Sequence, residues 1–276
     1  DDVRNNNAMG LWLIRKGQFA KAEPYLRRAV KTLTEKNPNP YDGEPLYNLG
    51  LSLKYQGKTD EAYDCFYKAC WNAAWQDAGY YSLAQLSASK GNWEDALYEI
   101  DKSLLRNWHN LRGRHLKAVV LRHLGRVDEA LDLIRESLAI DCFNFGCSFE
   151  EYLLTGEKAV LDDLLVRMRS EGHNYEELSL DYASAGCWEE ALKVVEVAFE
   201  VVASERTLLY YYKSWFLLSL GRLKEAEMAI CVAEHQSADC CFPNALEAIK
   251  ALQMSYPRLI TIWVTCGTIS GSILKR

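Results

Sequence analysis

At 276 residues, 49% of them apolar, with six prolines and a net charge of −6, the chain suits a packed, mostly helical protein and not a disordered one. The acid excess argues against a general binder of nucleic acid or of anionic membranes, and no run of 18 apolar residues is present to read as a membrane span. Nine irregularly spaced cysteines without C-x-x-C, and five histidines without H-E-x-x-H, set up neither a disulfide framework nor a metal box, so no metal and no cofactor are expected, and free thiols point to a reducing, cytoplasmic compartment.

In chain order the pattern predicts seven helical hairpins, over roughly 8–34, 44–73, 78–106, 112–140, 143–168, 173–200 and 207–235. Six of them carry one turn signature: RKGQFAKA (15–22), YQGKTDEA (55–62), SKGNWEDA (89–96), HLGRVDEA (123–130), SAGCWEEA (184–191) and SLGRLKEA (219–226). Gly57, Gly91 and Gly125 follow one another at 34 residues. Gly17 to Gly57 is 40, and the excess holds Asn37-Pro38-Asn39-Pro40, a loop that stops the preceding helix. Pro24 falls inside the second helix of the first pair, where a bend is expected. The fifth pair, within 142–170, keeps two helices (FEEYLL, then KAVLDDLLVRM) but loses the signature around Gly156 and reads as degenerate. One more helix is expected over 241–256, beginning at Pro243.

Each recurring residue has a mechanical task. The turn glycine accepts positive φ at little cost. Asp60-Glu61, Glu94-Asp95, Asp128-Glu129 and Glu189-Glu190 then fall in the first turn of the following helix, where they complement its dipole. A small residue lies seven before the glycine (Gly10, Gly50, Ala84, Ala118, Ser179, Ser214), a second five after it (Ala22, Ala62, Ala96, Ala130, Ala191, Ala226). A large one lies nine after (Leu26, Phe66, Ile100, Ile134, Val195, Ile230), and another small one three later (Ala29, Ala69, Ser103, Ser137, Ala198, Ala233). This 34-residue pattern resembles the tetratricopeptide-repeat family. The resemblance implies an all-α, right-handed superhelical solenoid of helix-turn-helix hairpins over 1–257, a non-catalytic scaffold that holds a protein segment.

From Leu259 the character changes to LITIWVTCGTISGSIL, β-branched and uncharged. Read two bases out of frame, the single codon of Trp263 forces a glycine, and its neighbours permit Tyr-Tyr-Leu-Gly-Asn-Leu-Trp, which parallels Tyr47–Leu53. A frameshift near 257–260 is therefore expected, with 258–276 a non-native tail and the array continuing beyond it. The stretches 37–85, 106–118 and 140–147 resemble, more narrowly, one family of long bacterial proteins with an N-terminal, sugar-related β-sandwich-like domain of unknown function. That resemblance implies that the chain is a fragment of a larger carbohydrate-associated protein; it transfers no catalytic residue. A free-standing peptide-binding module is the alternative.

Candidate contacts fall on the first helix of each pair. The positions of a carboxylate clamp for chaperone tails hold Tyr47, Leu51, Ser82, Arg112 and Leu116, only one of them basic, so that use is rejected. Residues 102–127 hold seven Lys/Arg, three His and no acid, and Arg112, His115, Val119, Arg122 and Arg126 step along one helix face. Such a stripe suits docking of an acidic segment; a merely solvated face is the plainer reading. Among the clustered aromatics, mostly expected to pack between helices, Tyr47, Tyr55 and Tyr81, with Lys54 and Gln85, are the groove-facing candidates. A remote enzyme reading, an α/α-toroid glycoside hydrolase, offers Glu150, Glu151 and Asp181 as its carboxylates but has no motif behind them. Oligomeric state is not legible.

Overall fold

The turn glycines do the same thing six times. In the computed structural model, which describes residues 2–202, 207–236 and 245–255, Gly17, Gly57, Gly91, Gly125, Gly186 and Gly221 all have φ between 69° and 80°. The N–H that follows each one donates back five residues, as from Gln18 to Leu13 and from Arg126 to Leu121, both 2.9 Å. That left-handed residue ends one helix and releases the chain into the next.

The hairpins so formed are α1 (Val3–Arg15) with α2 (Phe19–Thr34), α3 (Glu44–Tyr55) with α4 (Thr59–Ala69), and α5 (Gln76–Ser89) with α6 (Trp93–Arg106). Then come α7 (Leu111–His123) with α8 (Val127–Ile140), α9 (Phe145–Thr155) with α10 (Lys158–Met168), α11 (Gly172–Ser184) with α12 (Trp188–Val201), and α13 (Thr207–Ser219) with α14 (Leu223–Glu234). A last helix is α15 (Leu246–Ser255); the expected start at Pro243 lies outside the described residues, as does the proposed tail at 258–276. Among the described residues there is no strand, and no helix is long and apolar enough to cross a membrane. The fold is all-α, a helical-repeat solenoid built of antiparallel hairpins. Helix α2 runs through Pro24 to Thr34, with one backbone hydrogen bond fewer than a regular helix.

The chain divides into two compact units, residues 1–113 and 114 onward. In the first, small residues face large ones across each hairpin. A Cβ placed on Gly50 would lie 2.7 Å from the Phe66 ring, so no side chain fits there. Phe66 is wholly buried, a contribution of roughly 2–3 kcal/mol. Gly10 meets Leu26 in the same way. In the second unit Ser179 and Ser214 hold that small-residue place and are wholly buried, while Ile230, expected to be core, is only half-buried.

The pair α9/α10 departs from this rule. Helix α9 ends directly on Gly156, φ 69°, which is one residue earlier than in the other pairs. Only a single N–H, that of Gly156, bonds back, to the Tyr152 carbonyl at 2.9 Å. Counted from the last residue of the first helix, the place filled by Gly50 or Ser179 is filled here by Glu150, wholly buried.

Candidate functional site

On the first-helix side of the first unit, polar side chains form rungs from hairpin to hairpin. Asn48 of α3 donates its amide to Asn7 of α1 at 3.0 Å. Lys54, near the end of α3, donates its ammonium to Gln85 of α5 at 2.7 Å, and Gln85 donates onward to the Tyr81 hydroxyl at 3.2 Å. Three of the candidates thus meet in one chain of hydrogen bonds. The other two turn to packing: Tyr55 stacks on Phe19 with ring centres 4.9 Å apart, and Tyr47 lies against Trp75 (4.9 Å) and Phe66 (5.3 Å). All but Gln85, which is buried, are half-exposed.

The basic stripe does not survive as a surface. Arg112 is exposed, but it belongs to the first unit, whereas His115, Arg122 and Arg126 belong to the second. His115 is 4% exposed, seated over Gly146 of α9 and edge-on to Tyr182 of α11 at 4.7 Å. Arg126 is not on α7 at all; it precedes α8 and forks onto Glu129 of that helix at 2.7 and 2.6 Å. Arg114, in the same run, is wholly buried, with its Nε donating to Ser137 at 2.7 Å. The partners differ: Arg122 of the stripe is turned to carboxylates of later hairpins, while Arg126 stays exposed on its own hairpin.

Arg122 is the centre of an interior network. It donates to Glu150 from Nε at 2.7 Å and from Nη2 at 3.4 Å, and to Glu190 of α12 at 2.7 Å. The buried Tyr182 hydroxyl donates to Glu150 as well, at 2.7 Å. Burial alone would push Glu190 up, yet His123 and Arg122 outweigh it and hold the carboxyl down at about 2. Burial also opposes charge on Arg122, but its two carboxylate partners raise it above the usual guanidinium range. Glu150, offered above as half of a glycosidase pair, is therefore an interior anchor with no surface for a sugar to reach.

Two more features were invisible in the sequence. One is a cleft of about 460 Å³ in the second unit, with Glu189, Glu190 and Glu196 on its wall beside Lys193 and Arg222. The other is a group of potential ligands, His123, Cys187 and Glu190, brought together from α7 and the start of α12. Cys187 and Glu190 are three apart on one strongly marked turn, but His123 lies 64 residues from Cys187 and no spacing rule joins them. Asn7 and Asn48 could have been found: both are polar residues on an otherwise apolar helix face.

Residues 43–70, the α3/α4 hairpin, match the family model of the tetratricopeptide repeat. Among solved structures, a tetratricopeptide repeat protein from Parabacteroides merdae superposes with a TM-score of 0.54 at 18% identity, over 92% of this chain and 98% of that one. A thermophilic tetratricopeptide protein from Thermus thermophilus reaches 0.41 at 18% identity, over 82% and 100%. YrrB, solved as a TPR protein with an unusual peptide-binding site, reaches 0.39 at 14% identity, over 87% and 97%.

Proposed function

We propose that the chain is a non-catalytic scaffold that holds an extended protein segment along the first helices of its first unit. The observation that carries this reading is the Lys54–Gln85–Tyr81 hydrogen-bonded chain, which spans two hairpins with Lys54 and Tyr81 partly exposed and Gln85 buried between them. An amide, an ammonium and a phenol in a row match the donors and acceptors of a peptide backbone, and they lie beside the half-exposed Tyr47 and Tyr55 rings. Lys54 and the exposed Arg112 favour a segment with acidic character. His115 and Arg122 take no part. The finer reading, that the segment belongs to another domain of a larger bacterial carbohydrate-associated protein, rests on the sequence resemblance alone; a separate partner peptide is the other source.

The test is selection of peptides on the immobilised chain from a random extended-peptide library, followed by titration of the selected sequences. Replacing Lys54, Tyr81 and Gln85 together with alanine is expected to weaken binding at least tenfold while leaving the helical circular dichroism intact. Peptides that bind the triple variant unchanged, or failure to select any, would overturn the reading. Recovery of the same sequence motif in a domain of the parent protein separates the brace from the free-standing module.

A further inference from the structure

One cluster plays no part in peptide holding, and it sits where α12 begins. The Cys187 sulfur lies 3.8 Å from His123 Nε2, and Glu190 Oε1 lies 3.5 Å from the same nitrogen. All three ligand atoms fall within 4.8 Å of one another. We propose that His123, Cys187 and Glu190 form a transition-metal site suited to zinc, whose fourth position is left to water or to a ligand from a partner.

Both distances are long for a good hydrogen bond. They are close to the edges, roughly 3.3–3.7 Å, of a tetrahedron with the bond lengths usual for nitrogen, oxygen and sulfur on zinc, and the Cys187 sulfur and Glu190 carboxylate, within 4.8 Å, close the remaining gap when the ion binds. One nitrogen, one thiolate and one carboxylate are a ligand set that zinc takes, with a fourth position open. The surroundings fit as well. Cys187 is the N-cap residue of α12, which places its sulfur one helical turn from Glu190. Arg122 donates to Glu190 at 2.7 Å, the outer hydrogen bond that fixes a ligating carboxylate. Arg122 is itself balanced by Glu150. Formal charge closes too: one guanidinium and a divalent ion stand against two carboxylates and one thiolate. Binding breaks the S–H bond, forms the S–metal bond and releases one proton to solvent. The ion would clasp α7 to α12, which belong to hairpins two apart.

The test uses the full chain with Cys142, Cys231, Cys240, Cys241 and Cys266 changed to serine, so that other thiols do not report, and titrates it with Co²⁺. One equivalent is expected to give the near-ultraviolet thiolate-to-cobalt charge-transfer band, to release one proton, and to be displaced by Zn²⁺. Cys187→Ser should remove the band, and His123→Gln should weaken cobalt binding by roughly tenfold or more with unchanged circular dichroism. No band at one equivalent, or a band that survives Cys187→Ser, overturns the site. Should Cys187→Ser not fold, His123→Gln decides the matter, since unchanged cobalt affinity in that variant overturns it equally.

Discussion

The two units use different contacts to join their hairpins. In the first, inter-hairpin pairs reach one repeat along the chain: Arg27 to Glu61 is 34 residues, Lys58 to Glu23 is 35, Tyr63 to Glu99 is 36. In the second, Arg122 reaches Glu190 across 68 residues and His123 reaches Cys187 across 64, past the intervening pair α9/α10. A regular solenoid has nearest-neighbour contacts only. The exception arises where Gly156 comes one residue early and Glu150 stands in the small-residue place. A buried carboxylate there draws in Arg122 from one side and Tyr182 from the other, so the flanking hairpins meet. The lesson is that a lost repeat signature need not mean a looser structure; here it marks the place where the array is cross-tied.

The sharpest way to break that comparison is Glu150→Ala. It takes from Arg122 one of its two carboxylate partners and leaves the Tyr182 hydroxyl without its acceptor in the interior, a loss expected at roughly 3 kcal/mol in urea unfolding. Arg122→Met in the same chain should restore none of it, because Glu190 then loses its guanidinium partner and the Tyr182 hydroxyl still has no acceptor. A single-variant loss under about 1 kcal/mol would show that the cross-tie is incidental. The first unit's counterpart is Gly50→Ala. Its methyl group would press into the Phe66 ring, which lies 2.7–3.0 Å from the built Cβ, and the expected loss is about 2 kcal/mol. Phe66→Leu should absorb most of that penalty; strictly additive losses would mean that the two do not meet.

Most of the first unit was readable in advance, because its contacts repeat the sequence period. The turn glycines and the small residues facing Leu26 and Phe66 follow from local pattern, whereas the hydrogen bonds that join Lys54, Gln85 and Tyr81 do not. The second unit was not readable in that way. His115 and Arg122 looked like surface because polar residues at helical spacing usually are, and only the fold shows that Tyr182, Glu150 and Glu190 wait opposite them. The register shift at Gly156 amounts to one residue, below what a degenerate motif reveals. The potential metal ligands come from hairpins that a regular array would keep apart.

The units should also differ in their response to pH. Burial pushes Glu99 of α6 above its ordinary carboxylate value of 4.5, with Ser87 and Tyr63 offsetting only part of the effect. Its favourable contribution is therefore complete below 4.5 and lost as pH rises through the raised value. Glu190 runs the other way: held at about 2, it stabilises above 4.5 and loses that contribution as pH falls towards 2. Glu99→Gln should gain on the parent as pH rises from 4 to 7, and Glu190→Gln should lose ground over its own window between about 2 and 4.5. Parallel stability profiles for both variants would remove the distinction between the two kinds of buried carboxyl.

The smallest effects belong to two ion pairs that share the one-repeat spacing of the first unit but not its burial. Glu23 is 14% exposed and takes both Lys58 and Arg27 at 2.7 Å; burial opposes its charge, and the cations with Gln56 still bring it down to about 2. Asp60 is 91% exposed and meets Lys90 at 2.6 Å in open solvent. A short distance in water counts for little, since solvent and salt screen the pair and two flexible side chains must be ordered to form it. Glu23→Gln is expected to lose about 1 kcal/mol, and Asp60→Asn no more than about 0.3 kcal/mol, a difference that should persist when salt is raised. Equal losses would mean that spacing along the repeat, and not enclosure between hairpins, decides what an ion pair contributes to this fold.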